Sequence, residues 1–594
     1  MSFLKAMDAM TSRVRGENMS AELTAEGVGD ARVALFAALV RGAPEARILD
    51  LVTAVMLFSH TDPQAPVDLV VMAFQTRDCR GGKGERALFY VLFREIFNLA
   101  PETALGLLDL VPSYGYWKDL FVMHEKGPER LQRAIISLVA DQLRRDASAL
   151  DAGDRVSLAA KYAPRQKRRF DCASKALAAA LFGTASDNRK RYRQLVARLT
   201  AALDTPEVKM CARRWAEIDA SRVPSLCLAR SRKGFLNEKL HRKRLMTKEE
   251  DVTGDRFPTD EDRVKCRKAL RAAAGKRIVK GKQLFPHDLV RTAMGFNTSS
   301  STLEADVLDA QWAQVVQSVA KTASPLDGSV ALVDVSGSMS GQPMQVAIAL
   351  GLLVAQLAAP AYANRVLTFE STPRWFEIDP DAKLVDKVRS LQRAPWGGST
   401  NFAAAIDLIL DACVQHDVKP DEIPDLVVFS DMQFDLANGV AGAWQTHHER
   451  LVQRFAEAGK TACGQPWDPP MITFWNLRGD THNGGFMVEA DKPGCRVLGG
   501  FSPALLKFVL EGEQMIQVED VLPDGSTTTV KVRPTPYDTM RHALDDPRYD
   551  AIRLKLAAST ESPFAPYTFT PSSEEEEEEE DATAVTTNDD CDAD

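Results

Sequence analysis

The stretch LVDVSGSMSG, residues 332–341, decides how this chain is read. An apolar run ends in Asp334, Ser336 and Ser338 on alternate positions, and an apolar helix pattern restarts at once. Alternate residues of an extended segment face one way, so three oxygens leave a buried strand on a common side. Taken singly, a serine ahead of a helix reads as an N-cap. Two further polar groups sit at equivalent places: Thr400 in the turn GGSTNF, and Asp431 directly after the strand-like DLVVFS. Together these five read as a ligand set. Two carboxylates and three hydroxyls, without His or Cys, suit a hard cation that keeps some water, Mg2+ or Mn2+. Ligands of open α/β sheets lie beyond the carboxyl ends of the strands, so the same stretch predicts a surface site and a fold.

Around it, short β-rich runs alternate with helical ones. SVALVDV, RVLTFES, DLVVFSD and MITFWNL are each followed by a helix pattern, the last by PALLKFVLEG. Alternation of this kind predicts a doubly wound, largely parallel α/β sheet over 325–512. Upstream the period is 3.6. ARVALFAALVRG, EARILDLVTAVMLFSH, PVDLVVMAFQTRD, ERALFYVLFREIFNLA and PERLQRAIISLVADQLRR are short-linked helical runs, which predicts an all-α, repeat-like domain over 1–300. After the sheet, IQVEDVLPDGSTTTVKVRP reads as a hairpin turning at Pro523-Asp524-Gly525 and YDTMRHALDDPRYDAIRLKL as a short helix. These make a 513–570 segment expected to pack on the sheet domain. The residues 572–594 carry 12 acidic and no basic groups, and read as a disordered tail.

Hydrophobic residues at 45% and charged ones at 26% describe an ordinary globular protein, too long at 594 residues for one core. Nine cysteines without a CxxC pair argue against a disulfide framework or thiolate zinc site, and for a reducing compartment, cytoplasm or nucleus. The longest apolar run, 346–360, falls short of the roughly 20 residues a bilayer needs. The net charge of −9 becomes +3 without the tail. Residues 161–291 hold 34 Lys and Arg against 15 Asp and Glu, a local +19. A basic stretch of this size reads either as a phosphate-binding surface or as solvated helix faces. Its candidate contacts are Arg165, Lys167, Arg168 and Arg169, then Arg189, Lys190, Arg191 and Arg193.

The segments DVSGSMSG, GGSTNF and VVFSDMQFD resemble the metal-ion-dependent adhesion site of von Willebrand factor A domains at all five positions. That resemblance implies metal contacts from Ser336, Ser338 and Thr400, with Asp334 and Asp431 holding the ion directly or through water. It also implies a partner that donates an Asp or Glu to the metal. MAFQTRDCRGGKGERALFYVLF, SYGYWKDL, CARRWAEIDASRVPSL, MITFWNLRG and PYDTMRHALDDPRYDAIRL together resemble the domain-of-unknown-function 2828 proteins over most of the chain. The order of helical region and A domain, with RGGKGER, is similar to the Ro autoantigen family with its TROVE domain. There helical repeats close into a ring and bind RNA, which implies a HEAT- or TROVE-like helical region here.

Other motifs read more plainly. CRGGKGER lacks the Ser or Thr of a Walker A loop and reads as a helix-initiating turn, with Arg77, Arg80, Lys83 and Arg86 exposed toward RNA. GYWKDL reads as helix packing with a capped turn, and His447 and His448 as solvated. No GxSxG elbow marks a nucleophile. The leading expectation is a non-enzymatic, metal-bearing RNA-binding protein. The alternative is a metal-dependent protein-interaction scaffold that takes no nucleic acid.

Overall fold

The computed structural model describes residues 13–15, 21–238, 255–296, 301–321, 328–369, 373–393, 401–416, 418, 422–434, 447–480, 485–510, 516–521 and 527–558. The chain upstream of 300 is mostly helical. Ala31–Ala38, Glu45–Phe58, Ala65–Arg77, Arg86–Leu99, Trp117–Lys126 and Glu129–Asp151 follow the predicted runs. The Arg86–Leu99 helix shows why: Leu88, Phe89, Leu92, Phe93, Ile96 and Phe97 recur at three- and four-residue steps and are all buried. The all-α expectation needs one correction. Strands β1 (Arg13–Arg15) and β2 (Ala21–Leu23) pair antiparallel, and Leu23 exchanges backbone hydrogen bonds of 2.8 and 2.9 Å with Phe486. Three-residue strands carry no readable period.

The sheet has six strands: β3 (Ser329–Asp334), β4 (Arg365–Phe369), β5 (Arg374–Glu377), β6 (Asp425–Ser430), β7 (Ile472–Asn476) and β8 (Cys495–Gly499). Their order is β5-β4-β3-β6-β7-β8, with β5 antiparallel and the rest parallel. Alternation along β3 sends Val330 and Leu332 to one face, against Phe402 and Ile406 of the Phe402–Gln415 helix. Ala331 and Val333 go to the other, where Gln342–Leu357 lies and where the core runs on without a break into the helical region. The stretch between 300 and 325 supplies a further helix, Thr302–Ala320, which shares a smaller core with Phe235 and Leu270.

Strands β9 (Ile516–Val521) and β10 (Thr527–Val532) form the expected hairpin. Its turn at 523–525 and the acidic tail lie outside the described residues. The following stretch is two helices, Pro536–Leu544 and Asp550–Ala557, rather than one. They do not rest on the sheet domain alone. Arg541 pairs with Asp68 at 2.6 Å, Arg548 pairs with Asp78, and Tyr114 donates to the Arg548 carbonyl at 2.8 Å. Asp68 and Asp78 are buried in the helical region, and Arg541 of the first helix and Arg548 of the turn between the two bring cations to them, beside Arg32 at Asp68.

The RGGKGER turn starts the Arg86–Leu99 helix, as expected, but its cations are not all exposed. Arg77 and Lys83 are buried. Lys83 Nζ donates to the carbonyls of Phe36 and Leu39 at 2.5 and 3.0 Å, capping the Ala31–Ala38 helix, and burial lowers its pKa to about 7. A Cβ at Gly82 would stand 1.9 Å from the Gln75 carbonyl oxygen, so the turn closes with glycine alone. Arg80 donates to the Ser113 carbonyl at 2.6 Å. This motif is a staple inside the helical region. No helix among the described residues is long and apolar enough to cross a membrane.

Candidate metal centre

The chain reverses its direction of travel across the sheet between β3 and β6, the point where an open parallel sheet splays a crevice. Asp334 ends β3 and Asp431 follows β6, so the two carboxylates flank that crevice. Asp334 Oδ1 accepts from the Ser336 backbone N–H at 2.9 Å, and Oδ2 from the Ser430 hydroxyl at 2.5 Å. The Ser336 and Ser338 hydroxyls stand 3.0 Å apart. Asp431 Oδ1 accepts from the Gln433 N–H at 3.2 Å across a turn with Met432 in the left-handed region (φ +63°). Thr400 lies outside the described residues.

The expectation of a surface site is corrected in part. Of the four described members, Asp334, Ser336 and Asp431 are buried and Ser338 is exposed. Burial, and after it the neighbouring Asp431 carboxylate, push the Asp334 carboxyl up to about 7. Two buried carboxylates that raise one another's cost of ionisation fit a divalent cation, which would neutralise both. The donor set fits as well. The crevice offers oxygen from two carboxylates and hydroxyls, a set of the kind a hard cation takes, while among the described residues no group of three or more His, Cys, Asp or Glu able to hold a metal ion occurs.

A pH dependence follows. With the folded pKa of Asp334 raised from 3.8 to about 7, the metal-free fold holds a proton that the unfolded chain has released. The contribution of Asp334 to stability in chelator is therefore fully present below its unfolded pKa of 3.8, is lost between about 4 and 7, and is absent above. Thermal melts in EDTA across that range should show a less favourable trend with rising pH in wild type than in Asp334→Asn. A wild-type midpoint that rises from pH 5 to 7 as steeply as the variant's would rule this out.

Two residues of the centre escaped the sequence reading. Ser430, a hydroxyl at the end of a buried strand, was visible as a lone polar residue before Asp431. Arg478, just past β7, brings Nη1 to 3.7 Å from Asp431 Oδ2 and is legible only once β7 is known to neighbour β6.

Several of the eight basic candidates have partners within the chain. Arg169 pairs with Glu125 at 2.9 Å and Arg189 with Asp171 at 2.5 Å. Arg191 stacks 4.5 Å over the Phe182 ring, and Arg165 reaches the Thr200 hydroxyl at 3.1 Å. Arg165, Lys167, Arg168, Arg169, Lys190, Arg191 and Arg193 are exposed, and Arg189 is half-buried. The Asn188–Ala202 helix keeps Tyr192, Val196 and Leu199 inward. Of the remaining motifs, GYWKDL is the expected capped turn, with Asp119 Oδ2 accepting from the Tyr116 N–H at 2.7 Å. His448 is not solvated: it is buried, its ring centroid 6.4 Å from that of Phe474, and burial lowers its pKa to about 4.

Comparison with known proteins divides along the same line. Residues 328–544, which include the described residues of the candidate centre, match the family described as Domain of unknown function (DUF7788). Residues 123–245, which include the basic candidates, match Domain of unknown function (DUF2828). An uncharacterized protein of Acanthamoeba polyphaga mimivirus is 31% identical over 460 residues, covering 74% of this chain and 76% of the viral one.

Proposed function

We propose, for a chain that belongs to one family with the uncharacterized mimivirus protein, a non-enzymatic binding protein. In this reading a von Willebrand factor A-like sheet domain holds Mg2+ or Mn2+ through Asp334, Ser336, Ser338, Thr400 and Asp431, and a TROVE-like basic helical region binds RNA. The observation that carries it is the meeting of two buried aspartates and paired serine hydroxyls at the sheet's switch point. When bound, the cation would present an open coordination position to a ligand oxygen. The protein's own residues orient the carboxylates, through Ser430 and the Ser336 and Gln433 amides, and leave the Ser338 side accessible.

The RNA half rests on Lys167, Arg168, Lys190 and Arg193, which are exposed within a +19 segment. Binding through phosphates releases counterions, so affinity should fall with salt at a log–log slope of roughly −0.7 per phosphate neutralised on single strands. Replacing those four with Ala should flatten the slope by about that amount for each phosphate no longer neutralised. Removing 572–594, which carries 12 acidic groups, should strengthen binding by ending competition for the same cations. Filter binding at several salt concentrations tests all three.

The internal engagement of Arg165, Arg169, Arg189 and Arg191 favours a second reading. There the metal centre captures an Asp or Glu of a protein partner, and no nucleic acid binds. Failure of both the intact and the tail-less protein to retain RNA at low salt would select it.

A further inference from the structure

The loop leaving β7 places a cation where the metal's mouth should be. Arg478 Nη1 lies 3.7 Å from Asp431 Oδ2 and 3.5 Å from the Ser338 carbonyl oxygen, so the guanidinium bridges the two halves of the metal loop. Its Nε donates to Asp480 Oδ1 at 2.7 Å, and its backbone N–H to Asn476 Oδ1 at 2.9 Å. The Arg478 side chain is 27% exposed, whereas that of Asp431 is fully covered. The carboxylate is thus inside and the arginine stands between it and solvent. The loop's position is fixed from the far side too. A Cβ at Gly479 would fall 2.5 Å from Ala43 N and 2.6 Å from the Val40 carbonyl oxygen, so the loop is wedged against the turn after the Ala31–Ala38 helix.

Resting on the metal-centre reading above, we propose that Arg478 is a built-in competitor of the divalent cation. Its guanidinium neutralises Asp431 while the centre is empty, and must turn outward on its Asp480 tether when the ion enters. A monocation and a dication brought to one carboxylate repel each other. Arg478 therefore sets the centre's affinity below what its oxygens alone would give. Because the loop leans on the Val40–Ala43 turn, that setting is held by the helical region rather than by the sheet alone.

The test is Mn2+ binding to the full chain, read as loss of the free-ion electron paramagnetic resonance signal, in wild type, Arg478→Ala, Arg478→Gln and Arg478→Lys. The Ala and Gln variants should bind about tenfold more tightly and Lys close to wild type, with the gap narrowing as salt rises from about 10 mM to about 1 M. Gln covers the case in which the truncated variant fails to fold. A residue that merely props the loop would lose affinity when removed, so the gain is the diagnostic. Equal or weaker binding by the neutral variants overturns the proposal and leaves the metal centre standing. No Mn2+ binding by any form overturns both.

Discussion

Asp119→Ala is expected to lower the stability of the helical region by about 3–5 kcal/mol. Asp119 Oδ2 accepts from Arg77 Nε and Nη2 at 2.9 and 2.7 Å, and from the Tyr116 N–H at 2.7 Å, while Oδ1 accepts from the Tyr90 hydroxyl at 2.6 Å. Arg77 is 1% exposed and its guanidinium also lies 5.2 Å from the Tyr116 ring centroid. Truncating the aspartate strands a buried guanidinium, uncaps the Trp117–Lys126 helix and leaves the Tyr90 hydroxyl without its acceptor. Tyr90→Phe removes one of those bonds and should cost only about 1 kcal/mol. Urea unfolding followed by circular dichroism separates the two. An Asp119→Ala midpoint no lower than that of Tyr90→Phe would show that this ion pair does not hold the helices together.

That network marks the boundary of what the sequence made legible. The helices and the sheet were readable because the switch from a 3.6-residue to a 2-residue period near residue 325 is a local signal. The placing of Asp334, Ser336, Ser338 and Asp431 at one end of the sheet was readable because each ends or directly follows a strand-like apolar run. The charged staples were not. Arg77, Lys83 and Asp119 look like surface residues until residues 42 positions apart prove to be paired, as Arg77 and Asp119 are. His448 misled for the same reason, since its burial depends on Phe474 across the sheet face. The docking of Leu23 on Phe486 is a long-range pairing that periodicity does not encode, and the four-residue β5, paired antiparallel with the strand just before it, is too short to carry a period. Arg478 belongs with them: its place beside Asp431 follows from β7 lying next to β6, which strand order in the sequence leaves open.

The largest functional effect belongs to Asp334. It is fully buried between the Ser336 amide and the Ser430 hydroxyl, so Ala would open a void, whereas Asn keeps the shape and an acceptor while removing the charge. Losing an outer-shell partner of a metal site typically costs 10–100-fold in affinity, so losing one of two carboxylates should cost roughly a hundredfold or more. Removing the charge also relieves repulsion with Asp431, so the variant should fold at least as well as wild type in chelator. The decisive measurement is isothermal titration of Mn2+ into wild type and Asp334→Asn, both checked by circular dichroism. One saturable site in wild type and none measurable in the variant is the expected result, and a folded Asp334→Asn that binds Mn2+ as tightly as wild type would contradict the metal centre outright.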